Sequence, residues 1–301
     1  MAEFDWIERY FAPLAGAYGR GLKDDGAVID IPAGCQLVVS SDTSNRGDHF
    51  VEEMSPYDAA RKCLRSNLSD MAAMGADLLS YQLNLALPRD IGEDWVVEFA
   101  RGLAADQEEY GVRVSGGDTT GMDIGGLSVS ITVLGTVPTG RAVPRGGAWV
   151  GDLVVVTGTL GDASINRLHI APVPNGIAPA VREYARAAID ISDGLPADLG
   201  HICSTSGVGA KVRAADIPVS DALRVAIEKG ETSVPEMLVW GEDYELCMAV
   251  APQNLGAFME AAAECGVTLA VVGEFVKGEG AEFLDENGAP IVFGKPGWQH
   301  F

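Results

Sequence analysis

Aspartates stand at several points of this chain where an apolar strand or helix begins or ends. In AAIDISDGLPADLGH, Ala187 to His201, strand-like alternation places Asp190 opposite Ile189 and Ile191, and Asp193 falls at the following turn. The next residues carry apolar side chains at helical spacing, so Asp193 lies just before a helix. Comparable junctions carry Ser40, Ser41 and Asp42 in LVVSSDTSN, Gly117 and Asp118 in VRVSGGDTT, and Asp24 and Asp25 in KDDGAVID.

Each of these carboxylates also has a purely structural explanation. Asp193 occupies the position of a helix N-cap, where Asp is among the preferred residues. The stretch GGDTTG around Asp118 suits a turn as well as a ligand site, because glycine permits both. Asp70 lies inside an apparent helix, in RKCLRSNLSDMAAMGA, with no cation three or four residues away. It therefore needs either a distant Arg or Lys or a metal ion.

Taken together, the carboxylates favour a cation site made of oxygen ligands. The chain has neither a CxxC nor an HxxH pattern, and Mg²⁺ prefers carboxylate, water and phosphate oxygens. A bound cation would also reconcile an acidic chain with an anionic substrate. Asp and Glu outnumber Lys and Arg 43 to 21, and the formal net charge is -22.

Composition and charge exclude several function classes. With 301 residues, of which 47% are hydrophobic and 21% charged, the chain is typical of a globular protein with one large or two ordinary domains. The net charge argues against a nucleic-acid surface, and no apolar run reaches the ~18 residues of a membrane span. Five scattered cysteines and an N-terminus unlike a signal peptide lead us to expect reduced thiols and a cytoplasmic location. Neither a P-loop nor a protein-kinase motif set occurs.

The Pro- and Gly-rich segment from Thr136 to Asp152 indicates a domain boundary. Strand-like and helical patterns occur on both sides of it, which predicts two α/β or α+β domains. The expected strands are Gln36–Ser41, Leu127–Val133, Leu153–Thr157, Ala188–Ile191 and Leu246–Val250. The expected helices are Asp58–Met74, Trp95–Tyr110, a segment after Gly194 and Asn254–Cys265.

Eight stretches resemble, in this order along the chain, motifs of the thiamine-monophosphate kinase family. They are DDGAVID, SSDTSNRGDHF, NLSDMAAMGAD, GGDTTG, VTGTLGDASI, IDISDGLPADLGHI, GEDYEL and GWQHF, and they extend over nearly the full chain. As a set they are specific, although any one of them also suits wider relatives of the aminoimidazole-ribonucleotide synthetase type. Their order and the terminal GWQHF favour the kinase family.

This resemblance implies a two-domain architecture like that of aminoimidazole-ribonucleotide synthetase. An N-terminal α/β domain, residues 1–140, would bind metal and phosphate and pair its strands across a homodimer. A C-terminal α+β domain, residues 141–301, would bind nucleotide and substrate, with ATP in a cleft between the domains. The implied activity is ATP-dependent phosphorylation of thiamine monophosphate to thiamine diphosphate by in-line phosphoryl transfer assisted by Mg²⁺. Dependence on K⁺ stays open, and neither nucleic acid nor a membrane is an expected partner.

The resemblance also implies roles for single residues. Several magnesium ions would be held by Asp25, Ser40, Ser41, Asp42, Asp70, Asp118, Asp190 and Asp193. The nucleotide would contact Gly117, Asp118, Arg145 and Ser192, and the thiamine phosphate would contact His49, Glu242 and Trp298. Asp118, Asp193 and Arg145 would stabilise charge during transfer. No acid or base catalyst is expected, because the attacking phosphate oxygen is already largely ionised near neutral pH.

Three departures from the family pattern bear on the identity of the substrate. Lys23 precedes Asp24 where a glycine-rich run is usual, Trp240 precedes GEDYE where a glycine is usual, and the segment 162–189 is short. Two alternatives therefore stay open. One is a related ATP-dependent synthetase that activates an amide or carbonyl oxygen. The other is a catalytically weakened module that binds MgATP.

Overall fold

A computed structural model of the chain describes residues 3–123, 125–295 and 297–298. These residues form two compact units. The first unit consists of the described residues up to Met71 together with Asp77–Gly140. The second unit consists of Ala72–Ala76 together with the described residues from Arg141 onward. The functional roles that the sequence predicts for the two domains stay predictions.

The first unit contains a mixed four-stranded sheet. Its strands are β1 (Cys35–Asn45), β2 (Asp77–Pro88), β3 (Val114–Met122) and β4 (Ser128–Pro138). They lie in the order β1-β4-β2-β3, and only the β2–β3 pair is parallel. One face is buried by alternate residues such as Ile131 and Val133, and the other is more polar and more exposed. In this strand order, β1 and β3 form the two edges of the sheet.

Helices cover the buried face of the first sheet. The N-terminal segment forms α1 (Glu3–Trp6), a π-helical turn (Ile7–Phe11) and two 3₁₀ turns (Ala12–Leu14 and Ala17–Leu22). The long helices are α2 (Pro56–Ala73) and α3 (Glu93–Tyr110). Two Arg side chains of α2, Arg61 and Arg65, pair with the fully buried Asp106 of α3 at 2.8 Å. This buried charge is therefore neutralised by two cations across the helix pair.

The second unit contains a six-stranded sheet of mainly antiparallel pairs. Its strands are β5 (Leu153–Thr157), β6 (Ala185–Asp190), β7 (Gly209–Arg213), β8 (Leu246–Val250), β9 (Leu269–Val276) and β10 (Gly280–Leu284). They lie in the order β10-β7-β9-β5-β8-β6. The central strands β5 and β8 are apolar and almost entirely buried, as a strand covered on both faces should be.

Five helices and several short turns complete the second unit. The helices are α4 (Ala178–Tyr184), α5 (Leu195–Ser206), α6 (Asp221–Glu228), α7 (Val234–Trp240) and α8 (Leu255–Glu264). The 3₁₀ turns are Asp162–Ser164, Asn175–Ile177, Ala214–Asp216 and Pro252–Asn254. Leu199 of α5 and Leu238 of α7 join Val156, Phe275 and Phe283 in one core cluster, which packs both helices against the sheet.

Most of the expected elements are present; the strands expected at Gln36–Ser41, Leu127–Val133 and Ala188–Ile191 are longer, as Cys35–Asn45, Ser128–Pro138 and Ala185–Asp190. Leu153–Thr157 and Leu246–Val250 have the predicted bounds. The strand expected to end at Ser41 continues to Asn45, and GGDTT belongs to β3 rather than to a turn. Both strands extend past their aspartates because the polar residues there still pair with β4 or β2. No helix in the described part of the chain is long and apolar enough to cross a bilayer.

The close packing of α2 on α3 depends on Gly102. A Cβ atom at this position would fall on the backbone carbonyl of Tyr57 and within 2.9 Å of the Ala60 side chain. We predict that Gly102→Ala lowers the free energy of unfolding by about 1–3 kcal/mol, because the helices must separate. Urea denaturation measures this change.

The matched control is Gly256→Ala in α8, where the added Cβ atom meets no other atom within 4 Å. This substitution should leave stability unchanged or raise it by up to about 1 kcal/mol, since Ala favours the helix. Equal destabilisation by both substitutions would contradict the packing argument.

Candidate functional site

In the first unit, α2 holds the middle of β1 through two polar side chains. The Ser40 hydroxyl donates a hydrogen bond to a carboxylate oxygen of Asp70 at 2.5 Å. The side-chain oxygen of Asn67 accepts the backbone N–H of Asp42 at 3.0 Å, and its amide group donates to the Cys63 carbonyl. Ser40, Asp42 and Asp70 are thereby brought together on the helix side of the sheet.

Ser41 does not join this group through its hydroxyl. Successive side chains of a strand point to opposite faces, so Ser41 lies on the face opposite Ser40 and Asp42. Its hydroxyl donates to the Ile131 carbonyl at 3.2 Å and lies 3.0 Å from the Thr132 hydroxyl. If Ser41 contributes to a cation site, it must therefore do so through its backbone carbonyl.

A cavity of about 430 Å³ gathers a second set of predicted residues in the first unit. Asp25, Gly117 and Asp118 line it. Most of its apolar lining comes from the N-terminal segment, and its polar lining includes the β2 residues Gln82 and Asn84. The cavity thus offers apolar walls beside an acidic, amide-rich wall.

Gly117 allows the closest approach of β3 to β2 in this wall. Its φ of 149° lies outside the range that L-residues readily adopt, and a Cβ atom there would fall on the Leu83 backbone. Asp118 follows it, is exposed, and accepts the N–H of Thr119 at 2.9 Å. The glycine therefore leaves the backbone beside Asp118 open to a ligand.

The two acidic groups of the first unit occupy opposite edges of the sheet. The strand register aligns Asp42 with Ile131, then with Leu83 and then with Gly117 across β1, β4, β2 and β3. Three strand spacings correspond to about 14 Å along the sheet. Asp42 and Asp118 cannot share one cation over that path, so the predicted magnesium shell needs more than one ion position.

His49 lies in the loop after β1. Its Nδ1 atom accepts the backbone N–H of Asn45 at 3.2 Å and lies 3.5 Å from a carboxylate oxygen of Asp48. Accepting an N–H requires the Nδ1 lone pair, so we assign the proton of the neutral ring to Nε2. A ligand would then meet His49 as a hydrogen-bond donor.

In the second unit, Asp190 ends β6 and is 7% exposed, while Ser192 and Asp193 are half-buried in the loop that leads to α5. The N-cap of α5 is Gly194, and no side chain caps this end. The interpretation of Asp193 as an N-cap is therefore wrong. Because Gly194 takes that position, the Asp193 carboxylate is not used to close the helix.

The carboxylate that holds this loop is Asp198, in the first turn of α5. One of its oxygens accepts the backbone N–H groups of both Ser192 and Asp193, each at 3.1 Å. Burial, followed by the negative charges of Asp190 and Asp193, raises the pKa of Asp198 to about 8. The loop thus concentrates three carboxylates within interacting distance of one another.

Backbone hydrogen bonds bring two further predicted residues to the same loop. The N–H of Glu242 donates to the Ser192 carbonyl at 2.9 Å, and the N–H of Trp298 donates to the Asp193 carbonyl at 3.0 Å. Glu242 has a φ of 63°, and the Trp298 side chain is 52% exposed. Ser192, Asp193, Glu242 and Trp298 therefore form one continuous surface of the second unit, although they come from three distant parts of the sequence.

Two more carboxylates lie beneath this surface. A carboxylate oxygen of Asp243 accepts the N–H of Gly161 at 2.7 Å, and Glu245 accepts the hydroxyl of Thr157. Burial raises the pKa of Asp243 well above its ordinary value and raises that of Glu245 to about 7. Asp243 therefore fixes the backbone at Gly161, whereas Glu245 holds the side chain of Thr157, and both carboxylates are buried.

Arg145 lies apart from these hydrogen-bonded groups. It is exposed in the segment between β4 and β5, whose Pro144 carbonyl accepts the N–H of Ala188 in β6.

Among the described residues, no three Asp, Glu, His or Cys side chains are placed to hold a metal ion by themselves. Any cation at these carboxylates must therefore complete its shell with water or with oxygens of a bound ligand.

Sequence reasoning missed two residues that position the site, Asn67 and Asp198. Both lie within motifs that drew attention for another residue, NLSD for Asp70 and IDISDGLPADL for Asp193. Asn67 precedes Asp70 by three residues, so helical periodicity already places it on the same face. Asp198 carried no such signal, because its partners are backbone amides whose direction depends on the loop conformation.

The chain is similar to known proteins both in sequence and in structure. Residues 23–137 match the model of the AIR synthase related protein N-terminal domain, and residues 156–286 match that of the C-terminal domain. The thiamine-monophosphate kinase of Salmonella typhimurium is 39% identical over 324 aligned positions, which cover 99% of this chain and 98% of that protein.

Two solved structures are also similar over most of their length. A thiamine-monophosphate kinase from Stenotrophomonas maltophilia has a TM-score of 0.81 and 35% identity, with 90% of this chain and 91% of that chain covered. A structure described as AaThiL complexed with AMPPCP and TMP has a TM-score of 0.79 and 28% identity, with coverage of 92% and 91%.

The buried Glu245 predicts a pH dependence of stability. Its pKa is raised from 4.5 to about 7, so the folded protein binds more protons than the unfolded chain between these values. The free energy of unfolding should therefore fall as the pH rises through this window, by on the order of 3 kcal/mol for this group. Urea denaturation at a series of pH values measures the slope.

Glu245→Gln, which keeps an acceptor for the Thr157 hydroxyl, should flatten this slope and stabilise the protein at pH 7. The control is Glu228→Gln, an exposed carboxylate at the end of α6. A slope that Glu245→Gln leaves unchanged would contradict the assignment.

Proposed function

Because the chain belongs to the thiamine-monophosphate kinase family of AIR synthase related proteins, we propose that it transfers the γ-phosphoryl group of ATP to thiamine monophosphate. The resemblance read from the motifs and the two-domain fold class are both confirmed. The product is thiamine diphosphate, and the enzyme is a phosphotransferase with a phosphate group as acceptor. The AaThiL complex, which contains AMPPCP and TMP, supports both substrates.

The observation that carries this proposal within the chain itself is the cavity shared by Asp25, Gly117 and Asp118. Its apolar wall, which includes Phe4 and Phe11, suits a nucleobase, and its acidic wall suits a cation that accompanies phosphates. Neither feature alone is specific. Their combination in one cavity favours a metal–nucleotide complex over a free sugar or an apolar ligand.

The reaction explains why the site is rich in carboxylates and has no evident base. A phosphate monoester has an ionised oxygen near neutral pH, so the nucleophile needs no proton removed. The difficulty is the approach of two anionic groups in line. In our proposal, Arg145 and the backbone N–H groups near Gly117 bind and orient the phosphates, while Asp118 and Asp193 hold the neutralising cations.

The donor chemistry fits Mg²⁺. The predicted ligands offer carboxylate, hydroxyl and carbonyl oxygens. Asp25 and Asp118 lie at the cavity, and Ser40, Asp42 and Asp70 lie on the helix side of β1. Further candidates are Asp190, Asp193 and the Ser41 carbonyl. When bound, Mg²⁺ would neutralise phosphate charge and orient the reacting oxygens. The few protein ligands per position agree with the waters and phosphate oxygens that Mg²⁺ retains. Dependence on K⁺ and a cytoplasmic location stay predictions.

The substrate side of the proposal rests on the surface around Ser192. Glu242 offers a carboxylate for the cationic thiazolium ring, and Trp298 offers an exposed aromatic face. His49, in the first unit, stays a proposed contact of the thiamine phosphate on the basis of the family resemblance. Trp240, which is 40% exposed at the end of α7, directly precedes Gly241 and Glu242. This departure from the family pattern therefore lies beside the proposed substrate contacts, whereas Lys23 lies beside the acidic pair of the cavity.

We predict that thiamine monophosphate stimulates ADP release from MgATP and that phosphorus NMR identifies thiamine diphosphate as the product. Removal of Mg²⁺ with EDTA should abolish turnover, because the phosphates would then repel one another in an acidic site. ATP hydrolysis that needs an amide or carbonyl acceptor instead would favour the synthetase alternative. MgATP binding by calorimetry without any turnover would favour the binding module.

Asp118→Asn and Asp193→Asn test the roles of single carboxylates in the same assay. Each should lower kcat by on the order of 100-fold and raise the Mg²⁺ concentration needed for half-maximal rate. The matched control is Asp221→Asn, an exposed aspartate of α6. If both variants kept the turnover and Mg²⁺ dependence of the wild type, these assignments would be wrong.

We also propose that the chain forms a homodimer through β1. This edge strand exposes Leu37 and Val39, with 45% and 54% of their surface accessible. An edge strand with apolar side chains and free backbone groups tends to pair with another strand. Pairing with a second copy would cover both features at once.

Gel filtration with light scattering should give the mass of a dimer. The double substitution Leu37→Glu and Val39→Glu should shift the protein to the monomer, because four carboxylates would then meet at the interface. Val225→Glu, at an equally exposed apolar position of α6, is the control and should leave the mass unchanged. A wild-type protein that is monomeric at micromolar concentration would rule out the proposed pairing.

A further inference from the structure

Asp198 is a buried carboxylate that the proposed chemistry does not use directly. It is the fourth residue of α5 and is 2% exposed. Among the described residues, its hydrogen bonds come from backbone amides, and no Lys or Arg side chain pairs with it. A buried carboxylate without a cation is costly unless its hydrogen bonds compensate.

The two amide donors belong to the residues whose placement matters most. Ser192 and Asp193 follow one another in the loop between β6 and α5, and both N–H groups meet the same carboxylate oxygen at 3.1 Å. Two consecutive peptide groups are thus fixed by one atom. Fixing them also fixes the directions in which the Ser192 and Asp193 side chains leave the backbone.

The hydrogen bonds of Asp198 order the loop that precedes α5 rather than the helix that carries Asp198. Leu195 and Leu199 already anchor α5 in the core, so the helix does not need Asp198 for packing.

On the basis of the proposed function, we propose that Asp198 is a positioning residue for phosphoryl transfer. It holds the backbone of Ser192 and Asp193 so that their side chains are preorganised for the metal–nucleotide complex. It does not contact the substrate. Its loss should therefore lower kcat and weaken the response to Mg²⁺.

Three substitutions separate the acceptor atom from the charge. Asp198→Asn keeps an acceptor oxygen at the same position and removes the charge, so it should retain most of the activity. Asp198→Ala removes the acceptor and should lower kcat by about 10- to 100-fold, as expected for residues that orient metal ligands. Asp198→Glu keeps the charge but displaces the oxygen, so it should resemble Asp198→Ala.

The matched control is Asp285, where one carboxylate oxygen also accepts two backbone N–H groups, those of Asn287 and Ala289 at 2.9 and 2.8 Å. Asp285→Ala should lower stability without changing kcat or the Mg²⁺ dependence. Wild-type kinetics in folded Asp198→Ala would overturn the proposal. Equal loss of activity in Asp198→Asn and Asp198→Ala would also overturn it, because the charge rather than the acceptor would then matter.

A second measurement does not depend on activity. In amide hydrogen exchange, the Ser192 and Asp193 N–H groups should be protected in the wild type and in Asp198→Asn. They should be unprotected in Asp198→Glu. Because this comparison does not use Asp198→Ala, it holds even if that variant does not fold. Unchanged protection in Asp198→Glu would contradict the positioning role. A wild-type protein without kinase activity would remove the proposed function, whereas the exchange result would still decide whether Asp198 orders the loop.

Discussion

Carboxylates are held close to one another in this chain by hydrogen bonds from polar side chains and backbone amides, and the candidate sites depend on those bonds. Burial raises the pKa values of Asp198, Asp243 and Glu245, and neighbouring carboxylates raise those of Asp198 and Asp243 further. Each of these carboxylates accepts hydrogen bonds: Asp198 from two loop amides, Asp243 from the Gly161 amide and Glu245 from the Thr157 hydroxyl. The protein therefore carries a local electrostatic cost that a bound cation would offset.

The two units solve the positioning problem in the same way. In the first, Asn67 of α2 accepts the amide of Asp42; in the second, Asp198 of α5 accepts the amides of Ser192 and Asp193. In both cases a side chain on a well-packed helix reaches the backbone beside a proposed cation ligand. Helices anchored by apolar packing provide rigid supports, so the loop or strand inherits their order.

This arrangement accounts for an acidic enzyme that acts on anions. The net charge of -22 would repel ATP and a phosphate monoester unless cations accompany them. Among the described residues, no three Asp, Glu, His or Cys side chains would hold a metal ion by themselves, so the proposed Mg²⁺ would share its ligands with the nucleotide. In that proposal, the site would recognise the metal–nucleotide complex rather than either component alone.

From the sequence alone, the family, the two-domain fold class and the acidic motifs could be predicted, because strand and helix periodicities and the order of the motifs are local properties. Strand alternation also predicts that Ser40 and Ser41 lie on opposite faces, although the family resemblance implies that both hold magnesium. Other features depended on the tertiary structure. The extension of β1 and β3 past their aspartates depends on pairing with β4 and β2, and the separation of Asp42 from Asp118 depends on strand order. The role of Asp198 depends on where the amides of a loop point, and that direction is set only when Gly194, α7 and the C-terminal segment pack around the loop.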